Sequence, residues 1–315
     1  MKAYHLTGVH DLKVEKAPLK LVEVDVPIPN RREILIKIKC CGICHTEIDE
    51  IEGRTPPAVY PVIPGHQVVG EVSASGSAAI RFKQGTRVGV AWINMACGNC
   101  EKCKSGVENL CELFRATGRD VNGGYAKYIT VHEDYAYFIP DAFTNEEAAP
   151  LLCSGAIGYR SLKLTGLHNG KRLGLTGFGA SGHLVLKLSK YLYPDSEVFV
   201  FARSAEERAF AESLGAHWAG DTNDSPPHKL FAIIDTTPAW KPVVNAMDRL
   251  ESGGRLVINA IRKESLDQEE LLNLNYEKHL WMEKEIKSVA NITRQDVEEF
   301  LKIAAEIPIK PKVKP

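Results

Sequence analysis

The 315-residue chain lacks an excess of charge of either sign, with 39 Lys+Arg against 40 Asp+Glu and a formal net charge of -1. Nothing in that balance draws it toward DNA, RNA or an anionic membrane, so neither nucleic acid nor membrane is expected as a partner. It also lacks a long hydrophobic run: no stretch approaches the roughly 18 uninterrupted apolar residues of a membrane span. The N-terminus, MKAYHLTGVHDLKVEKA, carries charges throughout and has no apolar core of the kind a signal peptide needs. A cytoplasmic protein is expected. No internal repeat or low-complexity tract is present. What is there, 44% hydrophobic and 25% charged residues, is an ordinary globular composition long enough for two domains.

Cysteine is the residue in surplus. Cys97, Cys100, Cys103 and Cys111 form a C-x2-C-x2-C-x7-C pattern, and thiolates at two-residue gaps in a turn can converge on one metal ion. Four thiolates close the coordination shell, so such a site stabilises a fold and does no catalysis. The other cysteines stand at 40, 41, 44 and 153. Clustering as metal ligands, without an export signal, argues against a secreted disulfide framework.

Along the chain the texture changes once. The first 150 residues hold short β-rich runs broken by Gly and Pro, among them EILIKIKC, VVGEVSASG and TRVGVAWI, which predict a barrel-like β domain. From about Thr144, helix-length segments alternate with short apolar runs, EVFVFARS, LFAIIDTT and GGRLVINA, predicting a doubly wound parallel sheet and hence an α/β fold. After about Ser265 come a helix rich in Glu and Leu, a strand-like IKSVANI and the helix TRQDVEEFLKIAAEI. The final PIKPKVKP is not expected to pack.

Gly177, Gly179 and Gly182 form a GxGxxG, a weak signal alone. Here a strand-like RLGLT precedes it and an amphipathic HLVLKLSK follows, the setting of a dinucleotide loop. Glycines let the backbone approach a pyrophosphate while the helix N-terminus supplies free amides. About 20 residues on, where an acid would hold the ribose 2'-hydroxyl of NAD, the chain has Arg203 and Ser204 instead. A guanidinium and a hydroxyl suit a 2'-phosphate, so NADP(H) is favoured and NAD(H) is possible.

Three further segments carry donors: Cys44 with His45 and Thr46, His66 in PGHQ, and Cys153 in LLCSG. Taken singly, each is better explained as a buried cysteine or a satisfied core histidine. Taken together with the cluster and the glycine loop, the segments CGICHTE, PGHQVVGEV, CGNCEKC, GGYAKY and GFGASGH resemble, in order and over nearly the whole chain, the zinc-dependent medium-chain alcohol dehydrogenases.

That resemblance implies a β-rich GroES-like catalytic domain over 1–150 and 280–315, with a structural-zinc lobe at 92–113, and a Rossmann nucleotide-binding domain over 151–279. It implies two zinc ions per chain: a catalytic one held by Cys44, His66 and Cys153 with an open fourth position, and a structural one held by Cys97, Cys100, Cys103 and Cys111. The substrate is a small alcohol, aldehyde or ketone, with hydride exchanged with the nicotinamide. Thr46 matches the hydroxyl that touches the substrate oxygen, His45 a position facing the cofactor pyrophosphate, and Trp92 an aromatic lining the alcohol pocket. Cys40 and Cys41 are expected to be structural thiols, and the assembly a homodimer or homotetramer.

The chain departs from the family pattern at several points. Asp49 stands where many relatives pass the proton through a histidine, Gln67 where many have Glu, and Glu47 where Asp is usual behind the ligands, a methylene longer. Relatives continue past the point equivalent to Pro315 with a further helix and strand, so an uncovered edge is expected, from a truncation or a gap that a partner subunit fills. A polyol or amino-alcohol dehydrogenase, and a cofactor-binding protein inactive through its short C-terminus, are alternative readings. A zinc module binding nucleic acid is disfavoured by the absence of a basic stripe.

Overall fold

The computed structural model describes residues 1–307 and 309–313. They form two compact units, one of Met1–Ala156 with the segment from Asn291 onward, the other of Ile157–Ala290. No helix among the described residues is long and apolar enough to cross a membrane.

The first unit is built on strands. β1 (Lys2–His5) and β2 (Lys20–Glu23) pair antiparallel. β3 (Glu33–Gly42), β4 (Gln67–Ser75), β5 (Arg87–Val90), β8 (Tyr128–His132) and β9 (Ala136–Phe138) form a five-stranded antiparallel sheet in the order β8-β3-β4-β5-β9. Period-two alternation holds where one face is wet, with Ile34 and Ile36 buried and Lys37 and Lys39 exposed, and fails in β4, where Val68 and Val69 are both fully buried. β6 (Ile93–Met95) and β7 (Arg115–Ala116) pair antiparallel and close the base of the loop that carries the cysteine cluster. Two short helices matter for the site: α1 (His45–Ile51), between β3 and β4, and α2 (Glu101–Lys104), inside the cluster.

α3 (Asn145–Pro150) starts at Thr144 with a reciprocal cap to Glu147 and does not stop where the sequence suggested a boundary. Pro150 lacks an amide hydrogen, and the helical path widens into a π-type turn over Leu151–Gly155 before resuming as α4 (Ala156–Thr165). The units therefore divide at Ala156/Ile157, inside one helical run.

In the second unit β10 (Leu173–Thr176), β11 (Val198–Phe201), β12 (Trp218–Gly220), β13 (Leu230–Asp235), β14 (Leu250–Ile258) and β15 (Glu285–Ser288) make an all-parallel sheet in the order β12-β11-β10-β13-β14-β15. The inner strands are apolar on both faces, as a sheet covered on two sides requires. α5 (Ala180–Leu192), α6 (Ala205–Ser213) and α7 (Lys241–Arg249) connect them. Val243, Ala246 and Met247 of α7 pack on Phe199, Phe201, Ile233 and Leu256, each large side chain contributing about 1.5–3 kcal/mol on burial. β15 carries the start of the strand-like IKSVANI, Ile286 to Ser288, and pairs with β14, and the second division falls at Ala290/Asn291, later than residue 280. The expected Glu- and Leu-rich helix reduces to two short turns at Gln268–Asn273 and Tyr276–Leu280.

α8 (Arg294–Glu306) belongs to the first unit and is capped reciprocally by Thr293 and Asp296. Its Phe300 ring occupies the space that a Cβ on Gly155 would need, which seats the helix against the turn containing Cys153. The tail after α8 packs, against expectation. Ile309 is 1% exposed, because its amide closes the helix end on Ala304 O at 3.0 Å and its side chain is apolar; Pro308, Lys314 and Pro315 lie outside the described residues.

Glu133, buried just past β8, ties this unit together: its carboxylate accepts from the amides of Ile80 and Arg81 at 2.7 and 2.6 Å and from Arg32 at 3.0 Å. Burial by itself raises its pKa, but the Arg81 amide, the Arg32 guanidinium and the Ile80 amide together lower it below the usual glutamate value. A depressed folded pKa contributes stability above the unfolded value near 4.5 that is lost as pH falls through the folded one. Glu133→Gln is expected to lower stability by about 2 kcal/mol at neutral pH and to flatten the loss below pH ~4.5. Denaturant titrations of both proteins across the acid range check this, and an unchanged acid slope contradicts it.

Candidate functional site

The site starts at the N-terminus of α1. Cys44 is its cap residue, with Sγ accepting from the Thr46 amide at 3.4 Å, and Glu47 returns the favour by accepting from the Cys44 amide at 2.8 Å. The same carboxylate points its other oxygen at a histidine: Glu47 Oε1 stands 2.6 Å from His66 Nδ1, both side chains almost wholly buried. His66 is thereby turned so that Nε2 faces two sulfurs, 3.7 Å from Cys44 Sγ and 3.2 Å from Cys153 Sγ. Cys153 reaches the site from the π-type turn.

Donors arranged this way suit a tetrahedral zinc ion. With Zn–S near 2.3 Å and Zn–N near 2.05 Å, adjacent ligands lie about 3.5–3.8 Å apart, so one ion would be within reach of all three. The three donor atoms lie within 4.8 Å of one another. Electrostatics agree with the geometry. A hydrogen bond from the Cys153 thiol, with help from His66 and despite burial, pulls the Cys44 pKa well below the ordinary thiol value, while Cys153 is raised by the same pairing. Burial works against protonating His66, but the carboxylate of Glu47 and the Cys44 thiolate outweigh it and raise its pKa. The pocket gathers negative charge around one point and needs a cation to balance it.

The cluster of Cys97, Cys100, Cys103 and Cys111 has its sulfurs within 4.8 Å of one another, with Cys97 to Cys103 at 3.8 Å and Cys100 to Cys103 at 3.5 Å, the spacing of four thiolates on one zinc. Amides of Asn99 and Cys100 donate to Cys97 and lower its pKa to about 6, whereas burial raises Cys103 to about 12. All eight cysteines are free thiols.

Trp92 is buried and packs edge-on to the His66 ring, centroids 4.9 Å apart, with the Arg119 guanidinium over its own ring at 5.5 Å. Its indole N–H has no partner among the described residues. Thr46 is half-buried two residues past Cys44, and His45 is exposed as the first residue of α1. Asp49 is buried and its Oδ1 accepts from Arg54 Nε at 2.6 Å. Gln67 is buried against Gly42. Cys41 is half-buried, and desolvation of its thiol pushes its pKa up.

Sequence reasoning missed Glu50, which is 1% exposed with neither carboxylate oxygen partnered, its pKa raised to about 9 by burial. The i,i+3 spacing from Glu47 on a helix was the available signal.

In the second unit the glycine loop leaves the C-terminal end of β10. Gly177 takes φ +81°, and at Gly182 a Cβ would come 2.8 Å from Gly177 O, so the turn admits no side chain at either position. Gly179 caps α5, whose first amides are free to meet an anion. At the end of the neighbouring β11, Arg203 is exposed and carries no ion pair among the described residues, and Ser204 caps α6 by accepting from the Glu207 amide at 3.0 Å. Arg208 was not foreseen. Its Nη1 donates to the carbonyls of Ala202 and Arg203 at 2.8 Å each and fixes the loop that presents Arg203.

Residues 30–141 match the alcohol dehydrogenase GroES-like domain family. The chain is 42% identical over 298 residues to a probable alcohol dehydrogenase, AdhA, of Mycobacterium tuberculosis, covering 93% of this chain and 84% of that protein. It is 33% identical over 308 residues to an alcohol dehydrogenase of Geobacillus stearothermophilus, covering 94% and 88%. A solved cinnamyl alcohol dehydrogenase of Sorghum bicolor superposes with a TM-score of 0.84 at 27% identity, over 99% of this chain and 90% of that one.

Glu47→Gln keeps the side-chain shape and the helix cap but removes the charge facing His66 Nδ1. Zinc affinity is expected to fall about tenfold to a hundredfold, with the cysteine cluster unaffected. Competition with a chromogenic chelator reads this as one weakened site of two; two unchanged sites contradict it.

Proposed function

The chain belongs to the zinc-dependent medium-chain alcohol dehydrogenase family, and on that premise we propose that it interconverts alcohols with aldehydes or ketones through a zinc ion at Cys44, His66 and Cys153, with NADP(H) preferred to NAD(H). The observation that carries the reading is the three-donor set, two sulfurs and an imidazole nitrogen, with Glu47 behind the imidazole.

When bound, the metal supplies a Lewis acid for the substrate oxygen and the nicotinamide accepts or gives the hydride. The protein's part is positional. Glu47 holds the His66 ring so that Nε2 is the ligating nitrogen, and the low Cys44 pKa supplies a thiolate at neutral pH. The Trp92 ring makes an apolar wall beside His66 and excludes water from the reacting oxygen. Thr46, on the first turn of α1, would accept the alcohol's proton at Oγ1 while handing its own hydroxyl proton on toward the cofactor ribose. The four-cysteine cluster takes a second, structural zinc.

The 2'-phosphate preference is supported by the free guanidinium of Arg203, the Ser204 hydroxyl at a helix N-terminus, and the lack of an acid at the end of β11. Gly177, Gly179 and Gly182 admit the pyrophosphate, and His45, exposed as the first residue of α1, is assigned to it by the family resemblance alone. Cytoplasmic location and assembly as a homodimer or homotetramer belong to the same reading and rest on family membership.

Steady-state assays with small alcohols and aldehydes test the activity directly. Zinc-replete protein is expected to turn over with a nicotinamide cofactor and to lose turnover when a chelator empties the Cys44 site; zinc-replete protein without turnover sinks the proposal. For the cofactor, Arg203→Asp is expected to shift the NADPH-to-NADH preference in kcat/KM toward NADH by about a hundredfold, the worth of a charge-assisted contact replaced by a repulsion. An unchanged ratio refutes the assignment of Arg203.

A further inference from the structure

The turn that follows β7 is anchored at both of its sides to the surroundings of the metal donors. Thr117 donates its amide to Trp92 O at 2.8 Å and its hydroxyl to Ala91 O at 2.8 Å, and the Gly118 amide closes the turn on Val121 O at 2.9 Å. Gly118 takes φ +83°, and a Cβ there would come 2.7 Å from the amide nitrogen of Gly65. The turn is thus tied to the backbone of Trp92 and pressed against the residue that precedes His66. What it presents is Arg119.

The guanidinium of Arg119 is held before any ligand arrives. Nε and Nη2 donate to Asp120 Oδ1 and Oδ2 at 2.9 and 2.8 Å, and the Ala116 amide fixes Oδ2 at 2.7 Å. That uses one edge of the planar fork. Nη1 has no partner among the described residues, so the end formed by Nη1 and Nη2 is left for a second acceptor. The group lies over the Trp92 ring, 5.5 Å from its centroid, and Trp92 stands 4.9 Å from the His66 ring. Its side chain is 30% exposed, open to a ligand whose other end is at the metal donors. Glu50 acts on it through space and makes no hydrogen bond to it.

We propose that Arg119 sets the substrate class: it receives, end-on, the carboxylate of a short aldehyde or alcohol whose reacting oxygen lies at Cys44, His66 and Cys153. This rests on the alcohol dehydrogenase reading above and adds which substrates are preferred. A carboxylate only accepts hydrogen bonds and meets the fork with two parallel ones, a hydroxyl makes at most one, and an ammonium is repelled. The Trp92 ring covers the apolar carbons between the two ends. Because Asp120 already fixes the guanidinium, little side-chain freedom is lost on binding.

The test compares 4-oxobutanoate and 5-oxopentanoate with their uncharged methyl esters as substrates for reduction by zinc-replete protein. At one chain length or both, kcat/KM for the acid is expected to exceed that for the ester by at least about tenfold, and Arg119→Gln is expected to abolish the excess. Arg119→Lys keeps the charge without the fork and is expected to recover only part of it. Equal use of acid and ester at both lengths, or a preference that survives Arg119→Gln, overturns the proposal. Isothermal titration with 4-hydroxybutanoate gives a readout that needs no turnover: binding about tenfold weaker in Arg119→Gln is expected, with circular dichroism checking that the variant is folded. Unchanged binding, or none to the unaltered chain, overturns it. Turnover of the esters with no preference for the acids sinks this inference and leaves the dehydrogenase reading standing, whereas turnover of neither sinks both.

Discussion

The contact between Glu47 and His66 is the interaction on which the rest of the site depends. One carboxylate closes the N-terminus of α1 through the Cys44 amide and fixes the His66 ring through Nδ1, so helix, ligand cysteine and ligand histidine share a single support. The side chain is one methylene longer than aspartate, and the capping geometry uses that length: Oε2 reaches back to the cap residue while Oε1 reaches across to the imidazole. Cys44 and His66 are therefore held in register by local helix chemistry. Cys153 depends on a second device, the widened turn after Pro150, seated by Phe300 of α8.

That economy has an electrostatic cost. α1 is a helix of seven residues whose buried side is acidic, with Glu47, Asp49 and Glu50 all inside. Asp49 is offset by Arg54, and Glu47 by His66. Glu50 has no hydrogen-bond partner among the described residues, and burial raises its pKa to about 9. A carboxyl with a raised folded pKa contributes stability below its unfolded value that is lost as pH rises through the folded one. Ionising Glu50 beside Glu47 and the Cys44 thiolate is therefore unfavourable in the protein alone, and a dication at the three donors reduces that cost. A metal held at these donors would therefore couple to folding of this segment through charge as well as through ligand bonds.

Much of this was legible in the sequence because it was written in short range. The cysteine cluster declares itself by spacing, and the glycine loop by lying between a strand and a helix. The parallel sheet shows in apolar runs such as Val198–Phe201, buried on both faces. What could not be read depends on contacts distant in the chain. Nothing local marks the π-type turn at Cys153, because a proline inside a helical pattern predicts an end or a kink and only packing against Phe300 decides otherwise. The burial of Ile309 was missed for a related reason: a tail rich in Lys and Pro averages out as polar, while a single isoleucine at the helix end finds the core. Glu50 looked like one more surface acid until the fold buried it.

The same distinction between sequence position and surroundings separates the acids of α1. By position Asp49 stands where a relay group belongs. By surroundings it is an anchor, since Arg54 takes its carboxylate and the Arg54 and Thr55 amides take its backbone carbonyl, at 2.8 and 3.1 Å. Thr46 sits one turn earlier on the same helix, where Asp49 and Glu50 both fall at helical-neighbour spacing from it. Of those two acids only Glu50 is free of a partner. The buried face of α1 thus holds two acids in different surroundings: Asp49 fixes the loop through Arg54 and Thr55, and Glu50 has no hydrogen-bond partner among the described residues.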